Sequence, residues 1–247
     1  MNPGASRAIA LLTTALACAG PAGDAHAVAT PEAAIPASGA SDAAADQPSP
    51  AEQLLFLHPH LAAIREPRSI SYDYVAEGAA PRVADHATLV LAARKDGGCC
   101  GTHVDFLSGP NAIVLPDLDD PQGNPVVMYF LENEVRFLER ATHGQSPHFR
   151  RRIRQALAAQ ATVQDASVRW GGKEVPARVV HVAPFLDDPY RARFEREAKT
   201  EYDFVLSDAV PGGVVRMTAT LAAAGDAPKA TRTLALADPQ PAAPARK

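Results

Sequence analysis

Two adjacent cysteines, with a histidine three residues after the second, are the residues whose types and spacing best suit chemistry. Cys99 and Cys100 lie between Gly98 and Gly101, and His103 follows. Thiolate and imidazole are ligands that Cu(I) and Zn²⁺ favour, so Cys99, Cys100 and His103 form a candidate Cu or Zn site. The local sequence lacks a fourth ligand, for which the candidates are Asp105, His86, or His58 and His60.

The same cysteine pair is also a candidate redox switch. The chain has 3 cysteines, and Cys18 lies in a segment that we expect to be removed. In an oxidising compartment the two remaining thiols tend to pair. A trans peptide places adjacent Cα atoms about 3.8 Å apart, below the roughly 4.4–6.8 Å of an ordinary disulfide, so such a bond should be reducible. An inert pair in a turn, a metal site and a redox site at Cys99 and Cys100 therefore all stay open.

Other polar clusters have simpler explanations. His58 and His60 stand at the end of a predicted short helix, where a solvated helix end is expected. Glu139, His143 and His148 could share an acid–base site, but the helix should end near Gly144. Four arginines should lie on the solvent sides of a helix and pair with Glu132, Glu134 and Glu139: Arg150, Arg151, Arg152 and Arg154. The sequence has no GxSxG elbow, HExxH, P-loop or GxGxxG motif, which favours a protein that is not an enzyme.

Composition and the N-terminus point to an exported protein. With 24 Lys+Arg, 28 Asp+Glu and a net charge of −4, the chain lacks the basic excess of a nucleic-acid partner. Residues 1–27 contain Arg7, a short apolar run and small residues, the pattern of a signal peptide cleaved before Val28. Cleavage before Cys18, with a lipid anchor there, is the alternative. We expect a periplasmic or secreted protein without a transmembrane segment.

The remaining chain predicts one folded domain between two loose segments. Residues 28–48 form an Ala/Pro-rich tether, 49–237 a single domain, and 238–247 a tail. A capping box at Ser49 begins a short helix, and a helical hairpin follows Asn124 and continues after Ser146. A second short helix is expected over 188–199. Alternating or apolar runs predict strands over 70–74, 88–93, 103–107, 112–115, 163–170, 174–182, 202–206 and 214–221.

This order of elements predicts an α+β fold. It should be a mostly antiparallel, curved β-sheet, an open half-barrel, with the inserted helical hairpin and the short N-terminal helix packed on one face. From 49 to 221 the order resembles that of the lipoprotein-carrier and sorting proteins of the bacterial envelope, without a shared motif. That resemblance implies a monomeric, non-enzymatic protein that binds an apolar ligand or an envelope protein. Metal handling or thiol redox chemistry through Cys99, Cys100 and His103 is the alternative function.

Overall fold

The strands of this protein pair in an order in which the first and the last are neighbours. The computed structural model describes residues 47–78 and 81–237. The strands found there are β1 Arg68–Glu77, β2 Val83–Ala93, β3 Cys99–Phe106, β4 Thr162–Trp170, β5 Lys173–Val182, β6 Glu201–Leu206, β7 Val214–Leu221 and β8 Ala230–Leu236. They form one antiparallel sheet in the order β3-β2-β1-β8-β7-β6-β5-β4. The predicted signal peptide, Cys18, most of the tether and the predicted tail lie outside the described residues.

The long connection between the two edge strands, β3 and β4, carries both long helices. These are α2, Val126–Thr142, and α3, Ser146–Ala159. Helix α2 contacts β7 near the middle of the sheet and also contacts α3. Burial alternates along β1, where Ile70, Tyr72 and Tyr74 are buried in one core together with the apolar faces of both helices. The predicted α+β fold, an open curved antiparallel sheet covered on one face by a helical hairpin, is confirmed.

The helix starts follow from local hydrogen bonding. Ser49 and Glu52 form the predicted capping box at α1, Pro50–Glu52, which continues as a π-helical turn over Gln53–Leu57. At α2, the Asn124 Oδ1 accepts a hydrogen bond from the Val126 backbone N–H at 3.0 Å. These contacts satisfy backbone groups that have no partner within the helix.

Two predicted elements differ from the structure. Residues 112–115 are not a strand, because only Ile113 forms an isolated bridge, with Phe106. The helix predicted over 188–199 is instead two short 3₁₀ turns, Arg191–Arg193 and Glu197–Lys199. Phe194, between the turns, is buried among the aromatic rings of Phe149 and Phe185. This segment buries one ring between two charged stretches. It therefore lacks the continuous apolar stripe of a longer helix.

Strand β8 was absent from the sequence prediction, although it lies at the centre of the sheet between β7 and β1. Its inward positions are Ala230, Arg232 and Leu234, all buried. The arginine interrupts the apolar alternation that identifies a strand with one buried face. Within the part of the chain that is described, no helix has both the length and the apolar character needed to cross a membrane.

Candidate functional site

The structure joins Cys99 and Cys100 by a disulfide. The two residues begin β3 instead of lying in the turn that precedes it, and Cys99 pairs with Ala93 across a β-bulge. Both are partly buried, and Cys100 packs against the core. Both sulfurs are therefore engaged with each other, so metal binding by this pair would first require reduction.

His103, the third residue of the predicted metal site, is engaged by two carboxylates. Its Nδ1 lies 2.7 Å from Asp117 Oδ1 and its Nε2 lies 3.1 Å from Asp105 Oδ1. The hydrogen bonds to Asp117 and Asp105 raise the pKa of His103, because they favour the imidazolium form. No group of three or more His, Cys, Asp or Glu side chains in the described segments is placed to hold a metal ion. The metal and redox roles of Cys99, Cys100 and His103 stay predictions.

The other histidines proposed as a fourth ligand have their own partners. His60 is buried, and its Nδ1 accepts a hydrogen bond from the Asn124 backbone N–H at 3.2 Å. Burial, with the neighbouring His58, lowers the pKa of His60 to about 4. His58 Nε2 lies 2.7 Å from Asp208 Oδ1. The side chain of His86 is exposed on β2.

The arginine cluster of α3 forms the expected ion pairs only in part. Arg150 donates to both carboxylate oxygens of Glu132, at 2.9 and 2.7 Å. Arg152 contacts Asp187 and lies 3.3 Å from Asp188, which also binds His148 at 2.7 Å. These contacts hold the 183–190 loop against α3. The expectation that Glu134 pairs with this cluster was wrong, because Glu134 is buried and binds Arg232 instead.

A cavity of about 370 Å³ lies between the C-terminal half of α2 and the strands β1, β2, β7 and β8. Its walls are largely apolar and are formed by Tyr74, Ala76, Val83, Leu107, Phe137 and Leu221. Polar side chains also line it: Glu77, Asn111, Asn133, Arg140, Arg196, Glu197, Thr231 and Arg232. Apolar walls with a few convergent polar groups are the usual composition of a small-molecule site.

The floor of this cavity rests on a buried ion pair. Arg232 Nε donates to Glu134 Oε1 and Oε2 at 2.8 and 3.0 Å, and its Nη2 donates to Oε2 at 2.6 Å. The Arg232 guanidinium also stacks over the ring of Phe137, 3.6 Å from its centroid. Burial opposes the charge on Arg232, but the adjacent Glu134 carboxylate outweighs it, and the pKa of Arg232 is raised. The pair ties α2 to the central strand directly beneath the cavity.

Comparisons with known proteins do not identify a family or a function for this site. No family model matches the chain, and no curated protein matches it. One solved structure with a related arrangement is the lipoprotein LppX of Mycobacterium tuberculosis, at 10% identity and a TM-score of 0.29. The alignment covers 68% of this chain and 84% of that chain. At that TM-score the likeness decides neither fold nor function, and the fold assignment rests on the sheet itself.

Sequence reasoning did not identify the cavity or the pairing of Glu134 with Arg232. The two residues are 98 positions apart, and Arg232 lies in the strand that was missed. One signal was present: Glu134 falls beside Leu131, Val135 and Leu138 on the apolar side of α2. A glutamate on that side needs a buried cationic partner, since an unpaired buried carboxylate is costly.

Proposed function

We propose that the protein is an exported, non-enzymatic binding protein that holds an apolar ligand in the cavity between α2 and the sheet. The observation that carries the proposal is the cavity itself, about 370 Å³ with mostly apolar walls. Ligand sites commonly measure roughly 300–1,000 Å³ and are lined in this way. Export is supported by the signal-peptide pattern of residues 1–27.

A cavity-filling substitution tests the proposal. Ala76 on β1 lines the cavity, whereas Ala84 on the neighbouring strand β2 is exposed and does not line it. Ala76→Trp should block the cavity, and Ala84→Trp is the matched control. The probe is N-phenyl-1-naphthylamine, a neutral apolar dye, titrated against the purified full chain by fluorescence.

The wild type and Ala84→Trp should bind the dye saturably, and Ala76→Trp should bind it roughly tenfold more weakly or not at all. Circular dichroism of all three proteins checks that Ala76→Trp is folded. Equal dye affinity in a folded Ala76→Trp protein, or no saturable binding by the wild type, would overturn the proposal.

N-terminal sequencing of the protein recovered from the exported fraction tests cleavage before Val28.

A second function, thiol exchange at Cys99 and Cys100, is favoured by the disulfide between them, and metal handling by the same pair would follow its reduction. A thiolate of a small thiol would attack one cysteine sulfur and release the other as a thiolate. A second thiol would resolve this mixed disulfide, leaving two protein thiols and one small-molecule disulfide. Metal analysis and thiol titration of the reduced protein, against Cys99→Ser/Cys100→Ser, test this function. Identical metal content and identical phenotype in the two proteins would exclude it.

A further inference from the structure

We infer that the ligand of the cavity is an anionic amphiphile, with its carboxylate or phosphate head group between Arg140 and Arg196 and its apolar chain along the inner walls. This inference rests on the proposed function and adds the chemical class of the ligand. It follows from the charged side chains and the apolar side chains that line the same cavity.

The two arginines at the cavity have no carboxylate partner. Arg140 lies in the last turn of α2, and Arg196 lies immediately before the 3₁₀ turn Glu197–Lys199. Neither forms an ion pair with any residue that the structure describes, so what sets them apart is that both line one cavity. Two unpaired guanidinium groups at one cavity therefore offer donors to an anion from outside the protein.

Arg196 also carries a donor that the fold leaves unsatisfied. Its Nη2 donates to the Pro228 carbonyl at 3.1 Å, which holds the side chain in place. Its Nε is buried and has no hydrogen-bond partner within the described part of the chain. Because Nε is covered by protein atoms, the Nη end of the guanidinium, oriented by the Pro228 contact, is the part of Arg196 that can donate to a ligand in the cavity.

Arg232 adds a third donor from the cavity floor. Nε and Nη2 are used by Glu134, and among the described contacts Nη1 makes no hydrogen bond. The charge of Arg232 is balanced by Glu134, so Arg232 supplies a directed donor and not a net attraction. The attraction comes from Arg140 and Arg196.

The carboxylates that line the cavity do not cancel this attraction. Glu77 is paired with Arg82, with Nε and Oε1 3.1 Å apart. Among the described residues that line the cavity, Glu197 is the one remaining carboxylate whose charge opposes those of Arg140 and Arg196. The local balance favours an anion, in a protein whose formal net charge is −4.

The apolar walls of the cavity suit a hydrocarbon chain. Val83, Leu107 and Leu221 line the cavity together with the ring of Phe137. An alkyl chain placed there would leave water for an apolar surface, whereas a small hydrophilic anion would not use this surface at all. The head group is thus an anion, and the remainder of the ligand is apolar.

Competition against the neutral dye tests the head group. The competitors share a twelve-carbon chain and differ in the head: dodecanoate, dodecyl phosphate, dodecanol and dodecylamine, each below its micelle concentration. The full-length wild type is compared with Arg140→Gln/Arg196→Gln. The matched control is Arg154→Gln, because Arg154 is an exposed arginine on α3 without an ion pair in the described structure and does not line this cavity.

The wild type and Arg154→Gln should bind at least one of the two anions roughly tenfold more tightly than dodecanol, and dodecylamine should bind weakest. The double variant should lose that preference while keeping its affinity for dodecanol. A preference for dodecanoate over dodecyl phosphate, or the reverse, identifies the head group. Equal binding of anion and alcohol by the wild type, or an unchanged preference in the double variant, overturns this inference and leaves the proposed function intact. Failure of the dye and all four amphiphiles to bind overturns both.

Discussion

Glu134 on α2 and Arg232 on β8 form a buried ion pair in which the two side chains are 0% and 6% exposed. The pair connects the helical layer to the central strand of the sheet, at the floor of the cavity. Neither partner can be removed alone without leaving a charge in an apolar interior. The geometry of the cavity floor therefore depends on both residues.

Removal of one partner should destabilise the protein strongly. Glu134→Gln leaves Arg232 without its carboxylate, and we expect a loss of about 3–5 kcal/mol in the free energy of unfolding, measured by urea denaturation. The control is Glu77→Gln at the exposed pair with Arg82, which should cost about 0–1 kcal/mol. The double variant Glu134→Leu/Arg232→Met should recover most of the lost stability, because neither charge remains. A double variant no more stable than Glu134→Gln would contradict this account.

Two fully buried tyrosines should respond differently to loss of the hydroxyl. The Tyr72 hydroxyl accepts a hydrogen bond from Asn124 Nδ2 at 2.9 Å, whereas the Tyr202 hydroxyl is buried without a partner in the described structure. Tyr72→Phe leaves the Asn124 donor short of an acceptor and should cost about 1–3 kcal/mol. Tyr202→Phe removes an unsatisfied group, so it should leave the stability unchanged or raise it by up to about 1 kcal/mol. The urea denaturation midpoints of the two variants test this difference. Equal losses of stability in the two variants would contradict the assignment of a bonded hydroxyl to Tyr72 and an unbonded one to Tyr202.

His60 should make the fold sensitive to acid. Burial, with the neighbouring His58, lowers the pKa of His60 from 6.5 to about 4, so the unfolded chain binds a proton in this pH range that the folded protein does not. The stability from neutral His60 is complete above about pH 6.5 and decreases as the pH falls towards 4, by about 3 kcal/mol in total. Protonation would also remove the acceptor for the Asn124 N–H. His60→Asn keeps an acceptor without a titrating group, and its unfolding free energy should therefore fall less than that of the wild type between about pH 7.5 and 4.

His103 is a control with the opposite sign. Its pKa is raised by the hydrogen bonds to Asp117 and Asp105, so any stability it adds is complete below its unfolded pKa and is lost as the pH rises through the folded one. Because the His103 side chain is exposed, solvent screening makes this contribution small. An acid sensitivity that persists in His60→Asn and disappears in a His103→Asn variant would refute the assignment to His60.

Cys99 and Cys100 should be oxidised in the purified protein. Intact mass under non-reducing conditions should be lower by two hydrogen atoms than after reduction, and thiol titration of the unfolded oxidised protein should detect neither cysteine. The Cys99→Ser/Cys100→Ser variant should show no mass change on reduction. Two titratable thiols at these positions in protein purified under oxidising conditions would contradict the disulfide.

The sequence predicted the elements whose signals are local. The capping box at Ser49, the helical hairpin after Asn124 and the turn at Gly171 and Gly172 between β4 and β5 rest on contacts within a few residues. Period-2 burial identified most strands, and the order of elements was sufficient for the fold class. The sequence also identified Cys99 and Cys100 as a pair that could form a disulfide, and the structure contains that disulfide.

The tertiary structure alone decided the candidate site. Strands β8 and β1 pair although most of the described chain separates them in the sequence. No local signal shows where such a strand will pair. Arg232 interrupts the pattern of its own strand, and its position is explained only by Glu134, 98 residues away. The cavity is lined by residues of α2, β1, β2, β7 and β8, and Arg140 and Arg196 reach it from separate elements. Helix caps and alternating strands leave a characteristic residue spacing in the sequence. A site formed by contacts between distant residues leaves no such pattern.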